Sequence, residues 1–331
     1  MVDSARQDAR IGVVAIGRNE GERLIQCLDS LASSGLPIVY VDSASTDDSV
    51  AAAKMRGADV LDLDLATPFT AARARNEGFA RLMEIAPDID YVQFVDGDCE
   101  VEQGWIAAAA AFLDNKPEAA VVCGRRRERY PDASFFNMLC DREWNTAIGQ
   151  AEACGGDALM RVSTLTIVGG YNGSMIAGEE PELCSRIRAK GLQIWRIDQP
   201  MTIHDAAMYH FQQWWMRAIR SGFGYAQVWW ATRRKGHALY GRELARAVFW
   251  SVILPLAIII GAFASPLFLL ALPLIYSVQL TRMAARLGIK NSFSWKFAAL
   301  NMIAKFAESL GAFRFVVRML QGRSGGAIFY K

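Results

Sequence analysis

Residues 91–98 read YVQFVDGD, an apolar run that ends in two carboxylates around one glycine. A short run of aromatic and β-branched residues such as Tyr91–Val95 is typical of a buried strand. Asp96 and Asp98 follow at its carboxyl end. Two carboxylates at a strand end can hold a hard divalent cation, which in turn contacts phosphate oxygens. Taken alone the pair is weak evidence, because many such pairs are solvated turns.

Short apolar runs alternate with segments of helical period on both sides of this stretch. The predicted strands are residues 11–17, 37–41, 59–63, 91–95, 119–123, 158–161 and 193–197, and the predicted helices between the first five are 20–31, 47–56, 70–85 and 105–113. This alternation indicates an α/β fold with a doubly wound, mostly parallel sheet. Such sheets bind ligands beyond the carboxyl ends of their strands, where polar residues stand in this sequence. The chain has no G-x-G-x-x-G after the first strand and no P-loop motif, which disfavours dinucleotide and P-loop sites.

Six motifs follow one another over about 190 residues. They are IGVVAIGRNE (11–20), VDSASTD (41–47), ARNEG (74–78), DGD (96–98), GGY (169–171) and GEEPELCSRI (178–187). This ordered set resembles the inverting family 2 glycosyltransferases, which have the GT-A nucleotide-sugar-binding fold. The resemblance implies metal-assisted sugar transfer from a nucleotide-diphosphate donor, with inversion at the anomeric carbon. It implies Mg²⁺ or Mn²⁺ as the cofactor and favours a UDP-sugar as the donor.

The resemblance also assigns roles on the donor side. Asn19 and Glu20 match residues of the nucleoside pocket, Asp42 matches the carboxylate that reads the base, and Arg75 and Asn76 match a pair near the ribose and diphosphate. Asp96 is expected near the ribose or the metal, and Asp98 is the expected direct metal ligand. His204 matches a histidine that in some relatives touches the metal or diphosphate, although a lone histidine is often structural.

The catalytic base is expected in an acidic pair at a helix start, which here is Glu179-Glu180 where the family usually has Glu-Asp. Glu180 is the preferred candidate for the base and Glu179 the alternative. Gly155, Gly156 and Asp157 match a loop on the acceptor side. The run Arg125–Arg127 is interpreted as a solvated charge run, with contact to a phosphate of a lipid-linked acceptor as the alternative. The six cysteines include no C-x-x-C pair and are expected to be reduced and buried.

The net charge of +2 conceals a strong asymmetry. Residues 1–204 carry −11, residues 205–246 carry +5, residues 247–280 carry no charge and residues 281–331 carry +8. An uncharged apolar stretch between basic flanks predicts a membrane hairpin with both ends in the cytoplasm, and it does not indicate binding to nucleic acid. A buried helix pair of a soluble domain is the alternative. Basic flanks also predict contact with anionic membrane lipids.

We therefore expect four segments, which are a GT-A domain (1–205), amphipathic interfacial helices (206–246), a hydrophobic membrane hairpin (247–280) and basic amphipathic helices (281–331). The predicted location is the cytoplasmic side of the bacterial inner membrane. A membrane anchor favours a lipid-linked acceptor, most plausibly a polyprenyl-diphosphate glycan in exopolysaccharide synthesis. Transfer to a polyprenyl monophosphate is one alternative, and a catalytically silent membrane scaffold is another. The oligomeric state is left open.

Overall fold

The computed structural model describes residues 10–64, 66–234 and 238–322, which fall into two compact units. The first unit runs to Tyr209 and holds all of the strands, and the second begins at His210 and is helical. Parts of three predicted segments lie outside the described residues, namely residues 1–9 and 65, residues 235–237 and residues 323–331.

The first unit alternates strands and helices as the sequence predicts. The strands are β1 (Ile11–Gly17), β2 (Ile38–Asp42), β3 (Asp59–Asp62), β4 (Tyr91–Asp96), β5 (Cys99–Val101), β6 (Ala119–Glu128), β7 (Gly149–Ala151), β8 (Ala158–Arg161) and β9 (Gln193–His204). The helices are α1 (Glu22–Ala32), α2 (Ser49–Met55), α3 (Ala71–Ile85), α4 (Trp105–Asn115), α5 (Phe135–Glu143), α6 (Val162–Val168) and α7 (Glu179–Ala189). Sequence reasoning missed β5 and β7, because three residues are too few to show a period.

The nine strands form one sheet in the order β3-β2-β1-β4-β8-β6-β9-β5, and β7 also pairs with β9. The predicted α/β fold is confirmed, and the pairing β3-β2-β1-β4 is parallel throughout. The second half of the sheet differs from the mostly parallel prediction. There, β8 runs antiparallel to β4 and β6, and β5 and β7 run antiparallel to β9, whereas β6 and β9 are parallel. The sheet is therefore mixed.

The core lies on both faces of β1, β2 and β4. Val13, Val39, Val41 and Phe94 have no exposed surface. Strands that are covered on both faces carry continuous apolar runs rather than alternating ones, which is why these strands could be predicted. The one polar side chain within the β4 run, Gln93, accepts a hydrogen bond from the indole N–H of Trp105 at 2.9 Å and donates to the Phe94 carbonyl. The polar atoms of Gln93 are paired, so this residue belongs to the packed core rather than to a ligand-binding site.

The register of the parallel strands brings their polar ends together. Gly17 pairs with Asp42, and Ile16 pairs with Asp96. The loops that follow β1, β2 and β4 therefore leave the sheet side by side at one edge. This is the edge at which an α/β sheet binds its ligand.

The helical unit contains two long helices that pack closely on each other. These are α8 (Phe211–Thr232) and α12 (Ser292–Leu320). A Cβ at Gly222 would lie 1.9 Å from the Glu308 carbonyl oxygen, and a Cβ at Gly311 would lie 2.0 Å from that of Ile219. Only glycine permits two helix backbones to come this close. Helix α12, which lies in the segment predicted to form basic amphipathic helices (281–331), therefore packs one face against α8.

The predicted hydrophobic hairpin (247–280) overlaps two helical segments of 22 residues each, Gly241–Ala262 and Pro266–Leu287, which extend beyond it at both ends. The first is α9 (Gly241–Val248), a π-helical turn (Phe249–Ile253) and α10 (Leu254–Ala262), and the second is a 3₁₀ turn (Pro266–Leu270) and α11 (Ala271–Leu287). Both are long and apolar enough to cross a membrane. Only 11% and 6% of their most apolar windows are buried, which disfavours the buried helix pair of a soluble domain.

Candidate active site

The turn after β4 and the end of β9 bring the first potential metal ligands together. Asp98 Oδ1 lies 3.2 Å from His204 Nε2, because β5 pairs antiparallel with β9 and sets Cys99 opposite His204. The other ring nitrogen of His204, Nδ1, is buried without a hydrogen-bond partner among the described residues. The ring packs edge-on against Trp144 at 4.8 Å between centroids. A carboxylate and an imidazole with an unpaired nitrogen form a donor set suited to a divalent cation.

A buried arginine on α3 connects the metal-binding turn with the acidic pair. Arg75 is 3% exposed, and its Nη2 lies 2.7 Å from Asp96 Oδ1 while its Nη1 lies 2.8 Å from Glu179 Oε1. Burial disfavours the charge on Arg75, but Asp96 and Glu179 reverse this effect and raise its pKa. Its Nε is buried without a hydrogen-bond partner among the described residues. The sequence predicted Arg75 and Asp96 near one another, and the structure joins them directly.

A second buried ion pair lies beside the first. Arg126 Nη2 is 2.6 Å from Asp157 Oδ2, without the alignment of a hydrogen bond, and 3.7 Å from Asp96 Oδ2. Asp157 has no exposed surface and accepts hydrogen bonds from the Asp96 backbone N–H and the Thr202 hydroxyl. Burial alone would raise the pKa of Asp157, but Arg126 and these donors lower it overall. Burial raises the pKa of Asp96.

Arg126 corrects the interpretation of residues 125–127 as a solvated charge run. Its side chain is 16% exposed, whereas that of Arg127 is 53% exposed. Arg125 is also largely buried, with 17% side-chain exposure, and pairs with Asp141. Regular strand alternation therefore could not have identified Arg126, because the register of β6 shifts between Arg125 and Arg126.

The predicted acceptor-side loop lies against the Arg75–Asp96 ion pair. A Cβ on Gly156 would meet Asp96 Oδ2 at 2.6 Å and Arg75 Nη2 at 3.0 Å. Gly155 has a φ of +85°, in the left-handed region that favours glycine. Both glycines are therefore required by the local geometry, one for close approach and one for the turn.

The predicted nucleoside-pocket residues connect the loops after β1 and β2. Asn19 accepts a hydrogen bond from the Thr46 backbone N–H at 2.7 Å, and its own N–H donates to the Ser45 hydroxyl. Asp42 is 2% exposed and accepts from the Tyr40 hydroxyl and from both the N–H and the hydroxyl of Ser45. These contacts fix the loops at the edge of the sheet.

Two other predicted donor-side residues make contacts within the protein. Glu20 pairs with Arg23 at 2.6 Å in the first turn of α1. The Asn76 amide bonds to the backbone of Tyr171 through both of its polar atoms, at 2.7 and 2.8 Å. The structure thus gives Asn76 a positioning contact that joins α3 to the Gly-Gly-Tyr motif.

The two members of the acidic pair face different surroundings. Helix α7 begins at Glu179, after Gly178 in a left-handed conformation. Glu179 pairs with Arg75, as described above, whereas Glu180 is 7% exposed and turns toward two thiols. Its Oε1 accepts the Cys154 backbone N–H at 2.6 Å and lies 3.2 Å from Cys154 Sγ and 2.9 Å from Cys184 Sγ. Burial raises the pKa of Glu180, against the opposing effect of these donors.

All six cysteines are free and buried, as the sequence predicted. Their place in the fold explains this, since Cys27, Cys99, Cys123 and Cys184 are part of the hydrophobic core around the sheet. Burial raises the pKa of the Cys184 thiol to about 11.

Comparison with known proteins gives a sequence-family match and similar folds among glycosyltransferases. The family model "Glycosyl transferase family 2" matches residues 13–162. A mannosyltransferase from Pyrobaculum calidifontis, solved in complex with GDP-Man and Mn²⁺, superimposes with a TM-score of 0.60 at 19% identity, over 91% of this chain and 87% of that one. Glucosyl-3-phosphoglycerate synthase from Mycobacterium tuberculosis gives a TM-score of 0.47 at 16% identity, over 68% of this chain and 80% of that one.

Curated protein sequences give no significant match. The family match covers β1 to β8 with the motifs at 41–47, 74–78 and 96–98, and the mannosyltransferase shares the fold of the larger part of the chain. Residues 13–162 thus match the glycosyl transferase family 2 model within a GT-A fold, which supports a glycosyltransferase.

Proposed function

We propose that this glycosyltransferase moves a sugar from a nucleotide-diphosphate donor, with UDP-sugars favoured, to a hydroxyl of a membrane-linked acceptor, with inversion. The observation that carries the proposal is the meeting of Asp96, Asp98, Arg75 and His204 at the carboxyl edge of the sheet. A GT-A donor ends in a diphosphate, and this cluster offers both the ligands for a cation and a guanidinium for phosphate oxygens.

The residues present fit a divalent cation, Mg²⁺ or Mn²⁺. Asp98 and His204 would hold it with Asp96, and the 3.2 Å separation of Asp98 Oδ1 and His204 Nε2 supports a ligand shared by these two side chains. When bound, the cation neutralises negative charge on the leaving diphosphate. The Pyrobaculum mannosyltransferase, whose structure contains GDP-Man and Mn²⁺, supports this assignment.

The orphaned Nε of Arg75 supports a role for this arginine toward the donor diphosphate. Arg75 is already fixed by Asp96 and Glu179, so its guanidinium is held in place before any ligand binds. Groups that are oriented in advance stabilise developing charge without reorganisation. Asp42 and Asn19 would receive the nucleoside at the loops after β1 and β2.

Glu180 would be the base that removes the proton of the acceptor hydroxyl. Its raised pKa supports this role, because a base works best with a pKa near the working pH. Glu179 is the less suitable base, since protonating it would break its ion pair with Arg75. The acceptor oxygen then attacks the anomeric carbon from the face opposite the diphosphate, which inverts the configuration as the diphosphate leaves.

The proposed acceptor and the proposed cellular location are inferred from the helical unit. Two apolar helices with little buried surface support a membrane anchor, and their basic flanks support the cytoplasmic face of the inner membrane and contact with anionic lipids. An anchored transferase would work on an acceptor in the same bilayer, such as a polyprenyl-diphosphate glycan of exopolysaccharide synthesis. The Gly155–Asp157 loop would face this acceptor.

The test uses the full chain in detergent with Mn²⁺ or Mg²⁺ and a panel of nucleotide sugars that includes GDP-Man and UDP-Glc. We expect one donor to be bound and slowly hydrolysed, with both effects lost in Asp98→Ala and donor binding kept in Glu180→Gln. Glu84→Gln, which changes a carboxylate with 66% side-chain exposure, is the matched control. Failure to bind any donor would favour the silent scaffold.

The acceptor is tested in lipid extracts. Deleting the gene is expected to leave a lipid-linked glycan that is short by one sugar, read by mass spectrometry. Loss of a glycosylated polyprenyl monophosphate in its place would favour that alternative acceptor. Unchanged extracts would exclude a lipid-linked acceptor.

A further inference from the structure

Two thiols and a carboxylate meet in the interior beside the proposed active site. Cys154 Sγ lies 3.7 Å from Cys184 Sγ, and Glu180 Oε1 lies within 3.2 Å of both sulfurs. The three residues come from the loop before β8 and from α7, so the fold rather than local sequence brings them together. All three are buried, and their ligand atoms lie within 4.8 Å of one another.

We propose that Cys154, Cys184 and Glu180 form a site for a thiophilic divalent cation such as Zn²⁺, and that its occupancy silences sugar transfer. The site is distinct from the proposed Mg²⁺ or Mn²⁺ site in its chemistry. Sulfur ligands select zinc, whereas carboxylates and water select magnesium and manganese. The binding part stands on this cluster alone, and the inhibitory part rests on the role of Glu180 in the proposed function.

The distance between the sulfurs fits a zinc site. Two ligands at a Zn–S distance of 2.3 Å in tetrahedral geometry are about 3.8 Å apart, close to the observed 3.7 Å. A disulfide requires about 2.05 Å, so closing one would need a larger movement. The carboxylate would shift outward by roughly half an ångström, because its present contacts are those of a hydrogen-bond acceptor.

The charge balance also fits a divalent metal. Both thiols are free and buried in the folded chain. On binding, Zn²⁺ displaces the two thiol protons to water and leaves three anionic ligands around two positive charges. The fourth position stays open for water. Cys123 Sγ contacts the Trp195 carbonyl oxygen at 3.6 Å and is not part of the set.

Inhibition follows from the identity of the third ligand. A carboxylate bound to Zn²⁺ no longer accepts a proton from the acceptor hydroxyl. Binding also fixes Cys154 to Cys184 of α7 through the cation, and Gly155 and Gly156 follow Cys154 directly in the loop beside Asp96. The cation would therefore act on both the base and the acceptor-side loop.

Cobalt provides a direct probe of the site. The chain is stripped with a chelator in the reduced state and titrated with Co²⁺, which takes zinc sites and gives a thiolate-to-metal absorption band that oxygen ligands do not give. We expect this band, and we expect its loss in Cys154→Ser and Cys184→Ser but not in Cys140→Ser, which alters another buried cysteine. Zn²⁺ should displace Co²⁺. Thermal unfolding verifies that each variant is folded.

Transfer is then measured in excess Mn²⁺ with added Zn²⁺, each variant relative to its own zinc-free rate. Wild-type activity should fall, and the zinc concentration needed should rise at least about tenfold in either serine variant, since even partners outside a ligand shell are typically worth that much in affinity. No thiolate band, or a band that survives both substitutions, overturns the site. A thiolate band without inhibition of transfer refutes the role of Glu180. That outcome does not refute donor binding, the basis of the proposed function, which the donor-binding assay tests separately.

Discussion

Replacing Arg126 with methionine removes the guanidinium while keeping much of the side-chain volume. Its partner Asp157 has no exposed surface, so the variant leaves a buried carboxylate with only the Asp96 N–H and the Thr202 hydroxyl. Two charges about 4 Å apart attract each other by about 4 kcal/mol at an effective dielectric constant near 20. Breaking buried ion pairs typically costs about 3–5 kcal/mol, which is the same range. We therefore expect the free energy of unfolding of the first unit to fall by about 3–5 kcal/mol.

The assay is urea unfolding of the full chain in detergent, followed by tryptophan fluorescence. Arg127→Met is the matched control, since Arg127 is the next residue of β6, has 53% side-chain exposure and pairs with Asp141. Arg127→Met should lower the free energy of unfolding by less than about 1 kcal/mol, as for other exposed ion pairs. Adding Asp157→Asn to Arg126→Met should restore much of the stability, because it removes the unpaired buried charge. The asparagine oxygen still accepts the hydrogen bond of the Asp96 N–H, and its amide group donates to the Thr202 hydroxyl oxygen instead of accepting from that hydroxyl. Equal losses in the two arginine variants, or no rescue by Asp157→Asn, would refute the reasoning.

Three further predictions concern activity. Gly156→Ala should lower the transfer rate strongly, because its Cβ would meet Asp96 Oδ2 at 2.6 Å. Gly173→Ala should be neutral in the same kinetic assay, because no atom lies within 4 Å of a Cβ there. Equal effects of the two substitutions would contradict this account. The transfer rate should fall as the pH decreases through the raised pKa of Glu180. The acid limb of the pH–rate profile should therefore lie above the ordinary glutamate pKa of 4.5. An acid limb at or below that value would exclude Glu180 as the base. His204→Ala should raise the Mn²⁺ concentration needed for half-maximal transfer by about 10–100-fold without changing the unfolding temperature, and an unchanged Mn²⁺ requirement would give His204 a structural role only.

The parts of the fold that could be predicted from the sequence are those that local pattern specifies. The continuous apolar runs of β1 and β4 reflect burial on both faces, and their strand bounds match the prediction to within a residue. Strand β9 was predicted to end at residue 197 but continues to His204. The polar residues and Pro200 in its second half conceal the strand, which is held there by β5 and β6 on either side.

The candidate site was predicted in its residues but not in its contacts. The motifs identified Arg75, Asp96 and Glu179 as candidate site residues. Their positions in the sequence did not indicate that the guanidinium of Arg75 pairs with both carboxylates. Glu180 and Cys184 are four residues apart on a helix, which places them on one face. Cys154 lies 30 residues away from Cys184, and such contacts depend on how the loop before β8 returns to α7. Only tertiary structure supplies that information.

The burial of all six native thiols has a practical consequence. A maleimide reagent should leave the folded, reduced chain unlabelled, so the wild-type sequence serves as its own blank for cysteine mapping. A single cysteine at Phe263, which is 89% exposed between the two apolar helices, would then be the one labelled position. Reaction with an impermeant reagent from only one side of sealed vesicles would report directly where the tip of the hairpin lies.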